Sequence, residues 1–397
     1  MDRKDYLNKV SYVYAMPSSG QILRIKEILN GMKLFYEFED FEPYNKLILL
    51  SSEYFDKNSN IEFPNCLKFM DSGGASLYSK DKFINPMNVA LNQIKFKADA
   101  RFILDIIPYK KFERGELERL GLYNDTKSIE DFNYFKKCLN ETIRNIEIML
   151  ETYDDNKDRD IKYILYGIIH GTNLDEKKFW LKGINNVFDF NYYAFPVSNI
   201  PTTNKFKLKL KLKGFFNELD IIKNLGIDNI HIFGIGSHIT IILTPILRQI
   251  FNIITFDSLS WYKNVNLGSK LFFFPNIRFA FGRQIVSGTK WHDLNDFIPI
   301  EYIPKFCFCP YCKYYHNKHD NKVTLKNMKI SNNLETSIIY MHNGLLFSQL
   351  QILVNELFRY CKEDIEWYFK CINKIFNLNL SYDIVSINEN SKSLLDY

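Results

Sequence analysis

No stretch of the 397 residues approaches the roughly 20 consecutive apolar residues that a bilayer-spanning helix requires, so a soluble protein is expected. The seven cysteines follow no even framework of spacings, and no secretory leader stands before them. That argues against a disulfide-stapled extracellular domain and for a reducing cytoplasm. A glycine-rich phosphate turn behind the first strand, the mark of a doubly wound nucleotide-binding sheet, is also missing. Strong charge of either sign is absent. The net charge of +5 permits a nucleic-acid partner without demanding one, because a polyanion binder can gather its positive charge on one face. What is plentiful is hydrophobic material, 46% of residues, enough for one large domain or two moderate ones.

Much of that material lies in short runs of β-branched and aromatic residues that stop at polar residues, proline or glycine. Leu47 to Leu50 ends at Ser51-Ser52-Glu53, Leu67 to Met70 at Asp71-Ser72-Gly73-Gly74, and Arg101 to Leu104 at Asp105. Tyr163 to Tyr166 leads to His170-Gly171, Tyr192 to Phe195 to Pro196, Ile230 to Phe233 to Gly234-Ile235-Gly236, and Ile253 to Phe256 to Asp257-Ser258. Continuous apolar runs of this length are the pattern of parallel strands buried on both faces. Between them lie helical stretches such as Phe132 to Tyr153, where Phe135, Cys138, Leu139, Ile143, Ile146 and Leu150 recur at three-to-four-residue spacing. Strands alternating with helices predict a (β/α)₈ barrel, over about residues 1–300, with its site at the C-terminal ends of the strands. A doubly wound open sheet is the competing fold.

Three stretches break the alternation. Lys205 to Lys213 alternates lysine with apolar residues at a strict period of two, which predicts a strand or extended arm, either lying on phosphates or forming a solvated edge. Leu271 to Gly282 carries Phe272, Phe273, Phe274, Phe279 and Phe281 and predicts an inserted hairpin whose aromatics stack bases or fill core. Leu345 to Phe376 has helical spacing in Leu346, Leu350, Leu353, Val354, Leu357 and Tyr360. It is expected to pack a metal-binding subdomain of residues 301–397 onto the barrel.

That subdomain is suggested by Cys307-Phe308-Cys309-Pro310-Tyr311-Cys312. Three thiols in six residues are more than packing needs, and a C-x-C-x-x-C turn can give three thiolates to one tetrahedral Zn²⁺. His342, His316 and His319 are candidates for the fourth corner, and a redox thiol cluster is the competing reading. A closed four-ligand site is structural, which puts the chemistry elsewhere.

Three aspartates, Asp71, Asp105 and Asp257, stand at strand ends. One such Asp is usually a cap or turn residue. Three on a barrel rim converge on one pocket, and paired carboxylates are the apparatus that breaks glycosidic bonds. Gly73 and Gly74 behind Asp71 would let backbone approach a flat ligand.

Taken together, Met70-Asp71-Ser72-Gly73-Gly74, Leu104-Asp105 with Pro108, Phe256-Asp257-Ser258, Cys307-x-Cys309-x-x-Cys312 and His342-Asn343 resemble, in order and approximate spacing, the tRNA-guanine transglycosylase superfamily. The resemblance runs from about Met16-Pro17 to His342-Asn343 and implies a (β/α)₈ barrel with a zinc subdomain that exchanges guanine in nucleic acid for a 7-deazaguanine. It implies that Asp257 is the nucleophile at C1′ and Asp71 the acid and base. Asp105, Ser72 and His170 would read the base, Gly73, Gly234 and Gly236 would line the pocket, and Lys263 would hold phosphate. Cys307, Cys309, Cys312 and His342 would carry structural zinc.

The departures select a branch. Ser51-Ser52-Glu53-Tyr54-Phe55 replaces the usual Asn-Thr-Tyr-His-Leu, Pro196-Val197 replaces a glycine pair, and His170 stands where glutamine is usual. The region before Asp71 is short, and little chain follows His342. The chain thus looks most like the DpdA-type DNA-guanine transglycosylases of bacteria and phages, which insert a base such as 7-cyano-7-deazaguanine into DNA. A queuosine-type tRNA enzyme and a non-catalytic nucleic-acid-binding subunit are the alternatives. Retention of both Asp71 and Asp257 speaks against the last, and an oligomer is compatible with all three.

Overall fold

Eight short parallel strands, each paired with the next, close into a barrel when β8 pairs back onto β1. The computed structural model describes residues 7, 11–16, 18–33, 47–58, 61, 66–74, 83–109, 132–156, 163–197, 205–235, 238–258, 269–270, 282–285, 291–293, 309–318, 333–376 and 380. The barrel strands are β1 (Tyr12–Met16), β2 (Leu47–Ser51), β3 (Leu67–Asp71), β4 (Ala100–Phe102), β5 (Ile164–Ile168), β6 (Tyr192–Pro196), β7 (Asn229–Phe233) and β8 (Ile253–Ser258). Helices α1 (Ser19–Lys33), α2 (Pro86–Lys95), α3 (Phe132–Asp155), α4 (Leu174–Asn185), α5 (Lys205–Lys223) and α6 (His238–Ile250) lie between them. This is the (β/α)₈ architecture expected from the buried apolar runs. The expected runs fall on β2 to β8; β1 is an additional strand of the same character, buried throughout.

Local chemistry fixes where the helices begin. The Asn85 side chain accepts the Met87 N–H ahead of α2, with Pro86 in the first turn, and the Asn173 side chain accepts the Glu176 N–H ahead of α4. The barrel interior is a packed aromatic layer and not a pore. Phe102 lies 4.8 Å from Tyr166 and 4.9 Å from His231 between ring centroids, with Phe69 and Phe233 completing the layer.

After β8 come a three-stranded antiparallel sheet of β9 (Ser269–Lys270), β10 (Gly282–Ile285) and β11 (Trp291–Asp293), then α7 (Pro310–Lys318), α8 (Asn333–Tyr360) and α9 (Ile365–Phe376). The strands β9 and β10 that flank the phenylalanine-rich stretch are antiparallel neighbours; Phe272, Phe273, Phe274, Phe279 and Phe281 lie outside the described residues. Helix α8 packs against α6, α1 and β1, and so fills the slot of the barrel's eighth helix. Its Gln351 side chain accepts the Tyr12 N–H, and its Gly344 carbonyl accepts the Tyr14 hydroxyl at 2.9 Å. The helical spacing of 345–376 divides into two helices. Lys362 and Glu363 take left-handed φ of 53° and 62° between them, and Asp364 accepts the Trp367 N–H to start α9.

One expectation is overturned. Lys205 to Lys213 forms no strand or extended arm; it is the first half of α5. Further along the same helix Leu212, Phe215, Phe216, Leu219 and Ile222 are buried at three-to-four-residue spacing, which anchors one face on the barrel. Lysine and leucine favour helix, the lysine-rich stretch contains no β-branched residue, and a parallel β6–β7 crossover calls for a helix. The period of two was therefore outvoted by composition and topology. Among the described residues no helix is long and apolar enough to cross a membrane.

Candidate active site

Asp71 is the last residue of β3, and the β2–β3 register sets it beside Ser51 at the C-terminal rim. Its carboxyl is pushed up to about 7, first by burial, then by the charges of Asp105 and Asp257; the N–H groups of Gly73 and Ser72 partly offset this. Those two charges act on Asp71 from the segment after β4 and from β8, so the rim does bring the three aspartates together. The Ser72 side chain is buried and accepts the Gly74 N–H at 3.4 Å, within its own turn.

Asp105 stands three residues past β4, where regular pairing has ended. Helix α3 satisfies the freed backbone: Thr142 Oγ1 accepts the Ile106 N–H at 3.0 Å, and Asn145 Nδ2 donates to the Leu104 carbonyl at 3.1 Å. The carboxylate of Asp105 accepts a short bond from His170, with Nε2 2.6 Å from Oδ2 and both side chains buried. Opposite, Gly74 leaves room for it: a Cβ there would sit 2.6 Å from Asp105 Oδ1. Glycine at 74 is thus required by close approach.

His170 is held on its other side as well. Its Nδ1 lies 3.3 Å from the Tyr109 hydroxyl, which also receives the Gly171 N–H at 3.0 Å. Trp180 meets the ring edge-on at 4.8 Å and donates its indole N–H to the Ile168 carbonyl. Burial raises the Tyr109 phenol well above its ordinary range, so it is a neutral hydroxyl here. With both His170 nitrogens engaged in a buried ring, the histidine holds the Asp105 carboxylate in place, and it is the carboxylate that is suited to accept from the edge of a heterocyclic base.

Asp257 comes from β8, in register with Val13 of β1. Its Oδ1 accepts the Gly234 N–H at 2.9 Å and lies 3.3 Å from His231 Nε2. Gly234 has φ +71°, a conformation that glycine adopts without strain, and this turn after β7 aims its N–H across to β8. His231 and Tyr109 are the two site residues that sequence reasoning missed. The one signal for His231 was a polar residue inside the apolar run Ile230 to Phe233.

The expected zinc ligands are seen only in part. Cys309 Sγ and His342 Nδ1 lie 3.1 Å apart, the histidine being buried on α8. Two tetrahedral ligand atoms with Zn–S near 2.3 Å and Zn–N near 2.0 Å stand about 3.5 Å apart, so this pair has donor types and spacing close to those of a shared ion. Cys307 and His319 lie outside the described residues, as do Gly236 and Lys263, and of Cys312 and His316 only the helical backbone of α7 is described. Among the described residues no group of three or more metal-binding side chains occurs.

The described mouth of the barrel thus contains one carboxyl with proton affinity matched to neutral pH, one carboxylate gripped through a single oxygen, and one carboxylate paired with histidine. No family model and no curated protein matches the chain, which leaves its motifs and this geometry to carry the functional reading.

Proposed function

We propose that the chain is a DNA-guanine transglycosylase, a member of the tRNA-guanine transglycosylase superfamily of the DpdA type, that replaces guanine with a 7-deazaguanine. The observation that carries this reading is the convergence of Asp71, Asp105 and Asp257, with Asp71 raised to about 7 by burial and then by the charges of the other two. Efficient general acid–base catalysis needs a group whose pKa lies near the working pH, so that one residue can give and then take a proton.

In this reading an oxygen of Asp257 forms a bond to C1′ as the C1′–N9 bond breaks, and the bonding pair leaves with guanine, which Asp71 protonates. The incoming base then gives its N9 proton to Asp71, attacks C1′ and expels the Asp257 carboxylate. Asp105 reads the base edge, with His170 holding its carboxylate in position. Zn²⁺ would be held by Cys307, Cys309, Cys312 and His342, where it would brace α7 against α8 and take no part in the exchange. A guanine stacked in duplex DNA hides C1′, so the nucleotide must be flipped out or met unpaired.

The test supplies purified protein with radiolabelled guanine and either duplex DNA or bulk tRNA. Label in DNA is expected, and its loss in Asp257→Asn with DNA binding retained would support the nucleophile. Label in tRNA alone would assign the chain to the queuosine-type enzymes. Label in neither, with zinc bound, would indicate a non-catalytic subunit.

A further inference from the structure

His231 is a fully buried polar side chain bonded to one of the three carboxylates, and the reaction scheme above makes no use of it. It is fully buried in the middle of β7, ringed by Phe69, Phe102, Tyr166 and Phe233. An imidazole in such surroundings is costly unless both nitrogens find partners. Both do: Nδ1 is 3.0 Å from Thr255 Oγ1, and Nε2 is 3.3 Å from Asp257 Oδ1. The β7–β8 register places His231 opposite Thr255, two residues before Asp257, so one ring bridges two positions on the same face of β8.

We propose that His231 is a positioning residue for Asp257: its Nε2–H and the Gly234 N–H grip Oδ1 from two sides, which leaves Oδ2 as the oxygen presented to C1′. This rests on the reading of Asp257 as the nucleophile. Among the described residues the bonds to Asp257 all fall on Oδ1. A carboxylate free to rotate offers either oxygen along many directions; one fixed through Oδ1 offers Oδ2 along one, which is the gain that preorganisation gives an attacking group. Thr255 sets the tautomer. With Nε2–H committed to the carboxylate, Nδ1 carries a lone pair, and the Thr255 hydroxyl donates to it; the Ile230 carbonyl, another acceptor within its reach, is farther away at 3.4 Å. His231 is not the proton-transfer group itself, because its ring lies wholly inside the barrel with both nitrogens occupied.

The variants that test this are His231→Phe, which suits the aromatic surroundings and lacks a donor, His231→Gln, which restores an N–H, and Thr255→Val. Single-turnover formation of the covalent protein–DNA adduct should slow by about 10²-fold in His231→Phe, with DNA affinity within about twofold of the parent. His231→Gln should recover to within about tenfold of the parent rate. An unchanged rate in folded His231→Phe, or equal loss of rate and affinity with no rescue by Gln, would overturn the proposal. Ring-nitrogen NMR of the intact protein decides independently of activity, with the His231 signal assigned by its loss in His231→Phe. The proposal requires the neutral Nε2–H tautomer, with a proton resonance that moves in Asp257→Ala and a tautomer that becomes mixed in Thr255→Val. If the parent labels no nucleic acid, the transglycosylase reading fails while this spectrum still decides the His231–Asp257 bond. An Nδ1–H tautomer indifferent to Asp257→Ala would refute that bond.

Discussion

Replacing Asp71 by asparagine should remove a pH dependence of folding whose size follows from the site. The native carboxyl is raised from its ordinary 3.8 to about 7. Between those values the folded protein holds a proton that the unfolded chain has lost, so stability falls as pH rises, by about 1.4 kcal/mol per pH unit. The stabilisation is complete below 3.8 and is lost as pH climbs through about 7, for a total of roughly 4 kcal/mol. Asparagine keeps the shape and carries no charge at any pH. Urea unfolding of the parent and Asp71→Asn at matched pH values reads this group together with its coupling to Asp105 and Asp257, because titrations remote from the site are common to both. The variant should gain about 3 kcal/mol relative to the parent between pH 5 and 8 while losing base exchange. Parallel stability curves across that range would show that Asp71 is not held neutral by its neighbours, and would remove the argument for it as acid and base.

Three further outcomes follow from named contacts. In Gly74→Ala the new methyl would stand 2.6 Å from Asp105 Oδ1, so the carboxylate must leave the position in which it meets His170. Guanine affinity should drop about tenfold and stability by about 1–3 kcal/mol, measured by competition binding and urea unfolding. Tyr109→Phe leaves the Gly171 N–H without its acceptor and His170 without its second partner. A loss of about 1–3 kcal/mol in stability is expected, with base affinity weakened and the rate of adduct formation little changed. Cys309→Ser and His342→Ala should each lower bound zinc, determined by elemental analysis, well below one ion per chain, whereas His316→Ala should keep it.

The barrel was legible because burial on both faces writes itself into consecutive residues. Ile253 to Phe256 and Ile230 to Phe233 read as strands without reference to anything distant, and the polar residue or glycine that ends each run marks the rim. Tyr12 to Met16 carries the same writing and was overlooked, though its burial matches the rest. The lysine-rich start of α5 misled because alternation is a property of a few residues, whereas the helix is set by Phe215, Phe216 and Leu219 further along and by the crossover it must make. The site divides in the same way. Asp71, Asp105 and Asp257 stood out as strand ends that a barrel must bring together. His231 did not, because the group that gives it meaning lies 26 residues away on the neighbouring strand. Tyr109 likewise depends on His170, 61 residues distant. Cross-strand pairings of that kind leave no period in the sequence.

The three carboxylates also show why residue type alone could not assign their parts. All are aspartates at the same end of one sheet, yet each faces a different set of neighbours. Asp71 is buried and feels the charges of Asp105 and Asp257, partly offset by the turn N–H groups of Gly73 and Ser72, and its proton affinity rises into the neutral range. Asp105 faces a buried histidine at 2.6 Å, which holds its carboxylate in place. Asp257 receives a backbone N–H and a ring nitrogen on one oxygen, which fixes its direction. Divergent environments around chemically identical groups are what separate an acid from a nucleophile in a two-carboxylate site. The turn glycines contribute to that separation: Gly74 yields space to Asp105, and Gly234 turns its N–H onto Asp257. If Asp71 is the acid and Asp257 the nucleophile, as proposed, exchanging those roles would require rebuilding β7 and the β3 turn, and would not follow from altering the two side chains.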